Sequence, residues 1–262
     1  MAASIIGGLV SSEWPRSRIR VSDPADGRRA ELAANHGVET LDDNLACIDG
    51  ADIVVLAVKP QVLQSVVSPI AASLASNKPL LVSIAAGIRS ADILGWIGGE
   101  LPFVRVMPNT PALVNRGISG LWANSQVSSL QRDQAEHAMG AVGRVIWVDD
   151  ESLIDTVTGV SGSGPAYFFK VMELMIEAAE DLGLGHEAAR TLVVETALGA
   201  ATLMRQSDLT PAELRRQVTS PGGTTHAGIE QMEAGGIDDA IREGVRAAVL
   251  RSIELSEQFG GQ

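Results

Sequence analysis

Apolar positions recur along this chain with two different periods, and the change falls near residue 148. Up to there, short β-branched runs alternate with stretches of helical spacing. RIRVS at 18–22, DIVVLAV at 52–58, LLVSI at 80–84, FVRV at 103–106, GISGLWA at 117–123 and RVIWV at 144–148 read as strands, while 26–36 and 61–74 carry helix spacing. Near-continuous apolar runs mark strands covered on both faces, so residues 1–148 are expected to form an α/β domain with a doubly wound parallel sheet. From 149 onward the β runs vanish. Amphipathic stretches follow at 153–182, interrupted by SGSGPAY at 161–167 and stopped by Gly183 and Gly185, then at 187–206, 211–217, 225–233 and 237–258. Residues 149–262 are therefore expected to be all-α. Ala, Leu and Val occur on more than one face of these helices, more apolar surface than a monomer leaves in water, which predicts a homodimer or a higher homo-oligomer.

With 262 residues, 45% of them hydrophobic and only 3% aromatic, the chain can bury a substantial core of small side chains and closely approaching backbones. A formal charge of −12 argues against nucleic acid or an anionic membrane as partner. Any anionic ligand must then be attracted by a local arrangement. Cys47, in LACIDGAD, is the only cysteine, so no internal disulfide can form; it reads as a core thiol and points to a reducing cytoplasm. His36, His137, His186 and His226 lack ligand spacing, and no metal is expected. No run of about 18 apolar residues is present, and MAASIIGGLV lacks the basic start and the cleavage site of a signal peptide.

The chemistry concentrates in VTSPGGTTHAGIEQME, Val218 to Glu233. Pro221 fixes one dihedral, Gly222 and Gly223 let the backbone approach a ligand, and Thr224 and Thr225 offer hydroxyls ahead of a helix whose free first-turn amides suit a carboxylate. A bare SPGG is more often only a turn before a helix. The whole stretch, however, resembles the signature segment of the pyrroline-5-carboxylate reductases, with Val218, Thr219, Ser220, Gly222, Gly223, Thr225, Gly228, Ile229, Met232 and Glu233 filling its pattern. AVKP at 57–60, SIAAG at 83–87 and MPNTPALV at 107–114, at successive strand ends where α/β sheets bind ligands, resemble cofactor-side motifs of the same family.

That resemblance implies a Rossmann-like domain followed by a helical dimerisation and substrate domain. The implied activity is reduction of 1-pyrroline-5-carboxylate to L-proline by NAD(P)H, the last step of proline biosynthesis. It assigns Ala57, Val58, Lys59, Pro60, Ile84, Ala85 and Ala86 to the nicotinamide and its ribose, Ser22 and Asn44 to the adenosine end, and Gln217 more weakly to the cofactor. Ser220, Gly222, Gly223, Thr224, Thr225 and Glu151 fall on the substrate side, Asp208 being a weaker candidate, and Thr225 orients the proton delivered to the imine nitrogen. Asp23 suits the ribose of NAD(H), Arg28 or Arg29 the phosphate of NADP(H); the family favours NADP(H), with NAD(H) as the alternative. Family members open with a strand and a GxGNMA turn before a helix like Met1–Leu9. This sequence starts at the methionine of that turn, so the first strand is expected to be missing from the sheet, through a misplaced start or a fragment, and Gly7 and Gly8 read as packing glycines within the helix. Two rival readings are a β-hydroxyacid-type dehydrogenase with Lys170 as acid and base, and a homologue impaired in catalysis that only dimerises.

Overall fold

The computed structural model describes residues 1–12 and 14–260. The chain divides into two compact bodies, Met1–Ser163 with the segment from Ala247 onward, and Gly164–Arg246.

The first body runs α1 (Ala2–Ser11), β1 (Arg20–Ser22), α2 (Asp26–His36), β2 (Glu39–Leu41), α3 (Asn44–Ile48), β3 (Ile53–Leu56), α4 (Pro60–Val67), α5 (Ala71–Asn77), β4 (Leu80–Ser83), α6 (Ser90–Ile97), β5 (Phe103–Met107), β6 (Gly117–Ala123), α7 (Ser129–Gly140), β7 (Gly143–Trp147) and α8 (Leu153–Val157). Side chains of β4 show why it is apolar without interruption. Leu80 and Val82 enter one core with Ile5 and Ile6 of α1 and Ala135 of α7, while Leu81 enters a second with Leu63 of α4, Leu74 of α5 and Ile93 of α6. Helices thus cover both faces, as the doubly wound reading expects.

Three features depart from the sequence pattern. The strand β2 was not anticipated, because its three residues, Glu39 to Leu41, carry no apolar run and none is buried. The sheet is not wholly parallel: β5 and β6 pair antiparallel, Val106 opposite Leu121, while the other pairs are parallel. Their link holds only a 3₁₀ turn, Thr110–Val114, and without a crossover helix the chain returns beside the strand it left. The sheet also stands in two pieces, β1–β2 and β3-β4-β5-β6-β7. Among the described residues β1 pairs only with β2 and β3 only with β4, so each keeps one edge without a strand partner.

Glycines in α1 and β6 are set by close packing. A Cβ on Gly8 would lie 2.6 Å from Val142 and 2.7 Å from the Ala141 carbonyl, and one on Gly7 would lie 3.1 Å from the His36 ring. Both are packing glycines, as their place in the helix pattern implied. At Gly120 an added Cβ would meet the Val157 methyls at 2.6 Å, so α8 lies directly on the sheet, with Ile154 and Val157 buried. That packing carries the first body past residue 148 to Ser163, beyond the boundary expected from the loss of β runs.

The second body holds α9 (Gly164–Asp181), α10 (His186–Gln206), α11 (Pro211–Gln217), α12 (Thr224–Ala234) and the start of α13 (Ile237–Gly260), whose last turns belong to the first body. Its helices have clear local causes. Thr210 and Glu213 form a reciprocal capping box on α11, with Pro211 at its first position. Gly183, at φ +97, turns the chain between α9 and α10. Its tertiary burial is sparse: Ala189 and Val193 are the only buried apolar residues of this body among the described residues. Phe168, Phe169, Leu174, Leu192, Leu198 and Leu203 are each at least half exposed. No helix of the described residues is long and apolar enough to cross a membrane.

Candidate active site

The cofactor-side candidates of the first body gather at the carboxyl ends of β1, β3 and β4. Ala57 to Lys59 leave β3, and Pro60 opens α4, where its missing N–H costs nothing. Ile84 follows β4, and its N–H donates to the Leu56 carbonyl at 3.1 Å, which sets Ile84 to Ala86 beside Ala57 on adjacent parallel strands. Lys59 is exposed and carries no acidic partner among the described residues. At the end of β1, the Ser22 hydroxyl donates to Asn44 Oδ1 at 2.7 Å, so the two adenosine-side candidates meet across a span of 22 residues. Half-buried Cys47 lies close by, its thiol pushed up by desolvation against the lowering influence of Ser22.

The candidates for coenzyme choice, Asp23, Arg28 and Arg29, follow the end of β1. Asp23 Oδ1 accepts from the Ala25 N–H at 2.9 Å, which turns its carboxylate into the local bend. Arg29 Nη1 donates to the Asp23 carbonyl at 2.6 Å, and Arg29 also pairs with Asp26. Arg28 is the more open cation, paired with Glu31 at 3.5 Å with both side chains 58% exposed, a separation and setting in which little stabilisation is gained.

Residues 218–225 form the candidate substrate loop of the second body. Gly222 sits at φ +73, a conformation that penalises any Cβ, and a Cβ on Gly223 would lie 2.5 Å from the Ser220 hydroxyl. Gly223 donates its N–H to the Ser220 carbonyl at 3.0 Å, closing the turn, and then serves as the N-cap residue of α12. The first backbone bond into the helix is Ala227 N–H to the Gly223 carbonyl at 3.1 Å. Among the described residues no side chain caps α12, so the first-turn amides of Thr224, Thr225 and His226 are left with the positive end of the helix dipole. Ser220, Gly222, Gly223, Thr224 and Thr225 are thus brought together. Gln217, the last residue of α11, lies in this body, and Asp208 in the bend that precedes α11.

Glu151 is held by the first body. Its Oε1 accepts from the Ser90 N–H at 2.7 Å and from Arg105 Nη1 at 3.2 Å, and its Oε2 accepts from the Ser90 hydroxyl at 2.6 Å. Both oxygens accept hydrogen bonds within the first body, so Glu151 caps the start of α6. The same neighbourhood holds charged residues that the sequence reading did not single out. Arg105, on β5, is 1% exposed, and Asp155 on α8 accepts from Arg89 Nη2 at 2.5 Å and from the Ser252 hydroxyl at 2.7 Å. Desolvation lowers the Arg105 pKa, and Glu151 and Asp155 oppose that shift. An arginine in the apolar run FVRVM and an aspartate in LIDTVTGV were the available signals, since a charge inside a buried stretch calls for a partner.

A π turn, Thr158–Gly162, runs into the SGSGPAY stretch, whose Gly164 to Tyr167 open α9. Asn109 of MPNTPALV fixes the turn, donating from Nδ2 to the Ser161 carbonyl at 3.1 Å while its Oδ1 accepts from the Ile118 N–H at 2.9 Å. Lys170, the acid and base of the dehydrogenase alternative, is 61% exposed and paired with Glu173, which raises its pKa. A lysine working near neutrality needs the opposite shift.

Comparison with known proteins adds the following. Residues 151–255 match the family model described as pyrroline-5-carboxylate reductase dimerisation, and residues 1–87 match one described as NADP oxidoreductase coenzyme F420-dependent. Over 260 residues the chain is 49% identical to the pyrroline-5-carboxylate reductase of Pseudomonas aeruginosa, covering 99% of this chain and 95% of that one. The solved pyrroline-5-carboxylate reductase of Coxiella burnetii superposes with a TM-score of 0.93 at 40% identity, covering 97% of this chain and 94% of that one. The Plasmodium falciparum pyrroline carboxylate reductase, solved with NADP bound, superposes with a TM-score of 0.86 at 27% identity, over 97% and 94% of the two chains.

Proposed function

The chain belongs to the pyrroline-5-carboxylate reductase family and is an NAD(P)H-dependent oxidoreductase of proline biosynthesis; from that premise we propose how its residues divide the reaction between its two bodies. The reaction reduces the C=N bond of 1-pyrroline-5-carboxylate to give L-proline. NADPH supplies the hydride.

In the first body, Ala57 to Pro60 and Ile84 to Ala86 hold the nicotinamide and its ribose, the small side chains of Ala57 and Ala86 leaving room for a flat ring. Ser22 and Asn44, already hydrogen-bonded to each other, take the adenosine end. Asp23 spends a carboxylate oxygen on its own turn, whereas Arg28 is free to rotate toward a phosphate, which favours NADP(H) over NAD(H). The NADP bound to the Plasmodium relative supports the same choice.

In the second body, the amides of Thr224 and Thr225, with the open backbone at Gly222 and Gly223 and the Ser220 hydroxyl, bind the substrate carboxylate. Local dipoles give this acidic protein its attraction for an anion. The Thr225 hydroxyl hydrogen-bonds the ring nitrogen as electron density builds there. Too weak an acid to protonate it alone, Thr225 orients a proton from water or holds an already protonated imine. Gln217, at the end of α11, is the weaker cofactor candidate and lies in this body. The observation that carries this assignment is the start of α12, without a side-chain cap among the described residues, placed directly after Gly222 at φ +73 and after Gly223, where a Cβ would crowd the Ser220 hydroxyl.

The working form is a homodimer or a higher homo-oligomer in the cytoplasm. A helical body with two buried apolar residues and a row of exposed Phe and Leu needs a second copy to remove that surface from water. Incubating the purified chain with NADPH and 1-pyrroline-5-carboxylate, and measuring coenzyme loss and proline gain together, tests the reading. Equal amounts of the two are expected; NADPH loss without proline, or turnover of a hydroxy acid instead, overturns it.

A further inference from the structure

Four ionised side chains meet inside the first body: Arg89, Arg105, Glu151 and Asp155. Beyond the pairs already described, Arg105 Nη2 lies 3.9 Å from Asp155 Oδ1, and Arg105 Nε is buried without a partner. Two cations and two anions balance, yet desolvating such a group costs several kcal/mol per ion by general experience, so the cluster is poor evidence of stabilisation. What it holds in place is more informative. Arg89 and Ser90 end the loop that begins at Ile84, the segment assigned above to the nicotinamide. Glu151 grips that loop's exit at Ser90, and Asp155 grips it at Arg89.

The last turns of α13 complete the grip from the far end of the sequence. Ser252, 3% exposed, donates to Asp155, and the Ser256 hydroxyl donates to the Ser252 carbonyl at 3.1 Å. Leu255 presses on the loop itself: a Cβ on Gly87, at φ +68, would lie 2.9 Å from the Leu255 Cβ. Asp92, which accepts from the Arg89 N–H at 3.2 Å, would lie 2.4 Å from a Cβ on Gly260. One helix end therefore touches the loop and its cap at Gly87, Asp92 and, through Asp155, Arg89.

We propose that Ser252 and Asp155 are positioning residues for the Ile84–Arg89 loop, so that the end of α13 sets the affinity of the site for NADPH without touching the coenzyme. The inference rests on the reading that this loop lines the nicotinamide. Ser252 donates one hydrogen bond to a carboxylate that in turn holds Arg89; without it Asp155 loses an oxygen's partner and Arg89 loses a fixed acceptor.

The test measures KM for NADPH, kcat at saturating NADPH and thermal stability in the full-length protein for three variants. In Ser252→Ala the KM for NADPH should rise roughly three- to tenfold, part of the effect of one lost hydrogen bond to a charged group, with kcat within about twofold. Asp155→Asn should show the larger rise; if it fails to fold, Ser252→Ala alone decides. Ala86→Leu puts bulk on the loop directly. A raised KM in Ala86→Leu with an unchanged KM in Ser252→Ala overturns the positioning role, even if thermal stability falls. An unchanged KM in Ala86→Leu overturns the reading of the loop on which the proposal stands.

Discussion

The two bodies of this protein bury their apolar side chains to very different degrees. In the first, strands such as β4 feed two cores, and Leu63, Leu74, Leu80, Leu81 and Phe103 are wholly out of water. In the second, only Ala189 and Val193 are buried apolar residues among those described, although its helices are well formed and locally capped. Local propensity accounts for helices; it does not account for a body that leaves Phe168 and Leu198 in solvent. The first body buries its own cores on both faces of its sheet. The second leaves a row of apolar side chains in solvent and matches a dimerisation family model over residues 151–255.

That contrast can be broken most severely at the exposed face. Leu198→Asp, at a residue 61% exposed, would be silent on an ordinary surface. Here it is expected to abolish the dimer in sedimentation equilibrium and reduce activity to background; a normal dimer with normal turnover would show that this face does not bind a second copy. A core change in the first body should cost stability with assembly retained. Leu74→Ala is expected to lower the unfolding free energy by about 2–5 kcal/mol in denaturant titration. The smallest effect belongs to local structure in the second body. Thr210→Ala removes the cap of α11 and should cost about 1 kcal/mol.

The same cap has a pH signature. Hydrogen bonds from the Thr210 hydroxyl and N–H lower the Glu213 pKa, so its contribution is present above the ordinary glutamate range and fades as the pH falls through the lowered pKa. The stability difference between wild type and Thr210→Ala should shrink on acidification in that window. A difference that stayed constant there would show that the Glu213 side of the box contributes nothing.

Much of the first body was legible because its elements carry their own signals. Helix α2 spans the expected 26–36, ending where Gly37 at φ +66 closes it, and Pro211 with Thr210 marks α11. What was not legible depends on partners distant in sequence. The strand β2 has no apolar run, and its existence depends on β1. The antiparallel return of β6 is decided by a link too short for a crossover helix. Glu151 could be singled out as a site acid, but nothing local reveals that Ser90 and Arg105, 61 and 46 residues away, take both of its oxygens. The loop around Thr225 was readable as chemistry for the opposite reason: turn, glycines, hydroxyls and helix start lie within one short stretch.

If Thr225 of the second body serves the imine while the first body serves the coenzyme, one substitution separates the two. Turnover of 1-pyrroline-5-carboxylate and equilibrium binding of NADPH should be measured for wild type and Thr225→Ala. Turnover is expected to fall by roughly one to two orders of magnitude, the size of one lost positioned donor, with NADPH affinity unchanged. Unchanged turnover, or a loss that follows weakened NADPH binding, would contradict it.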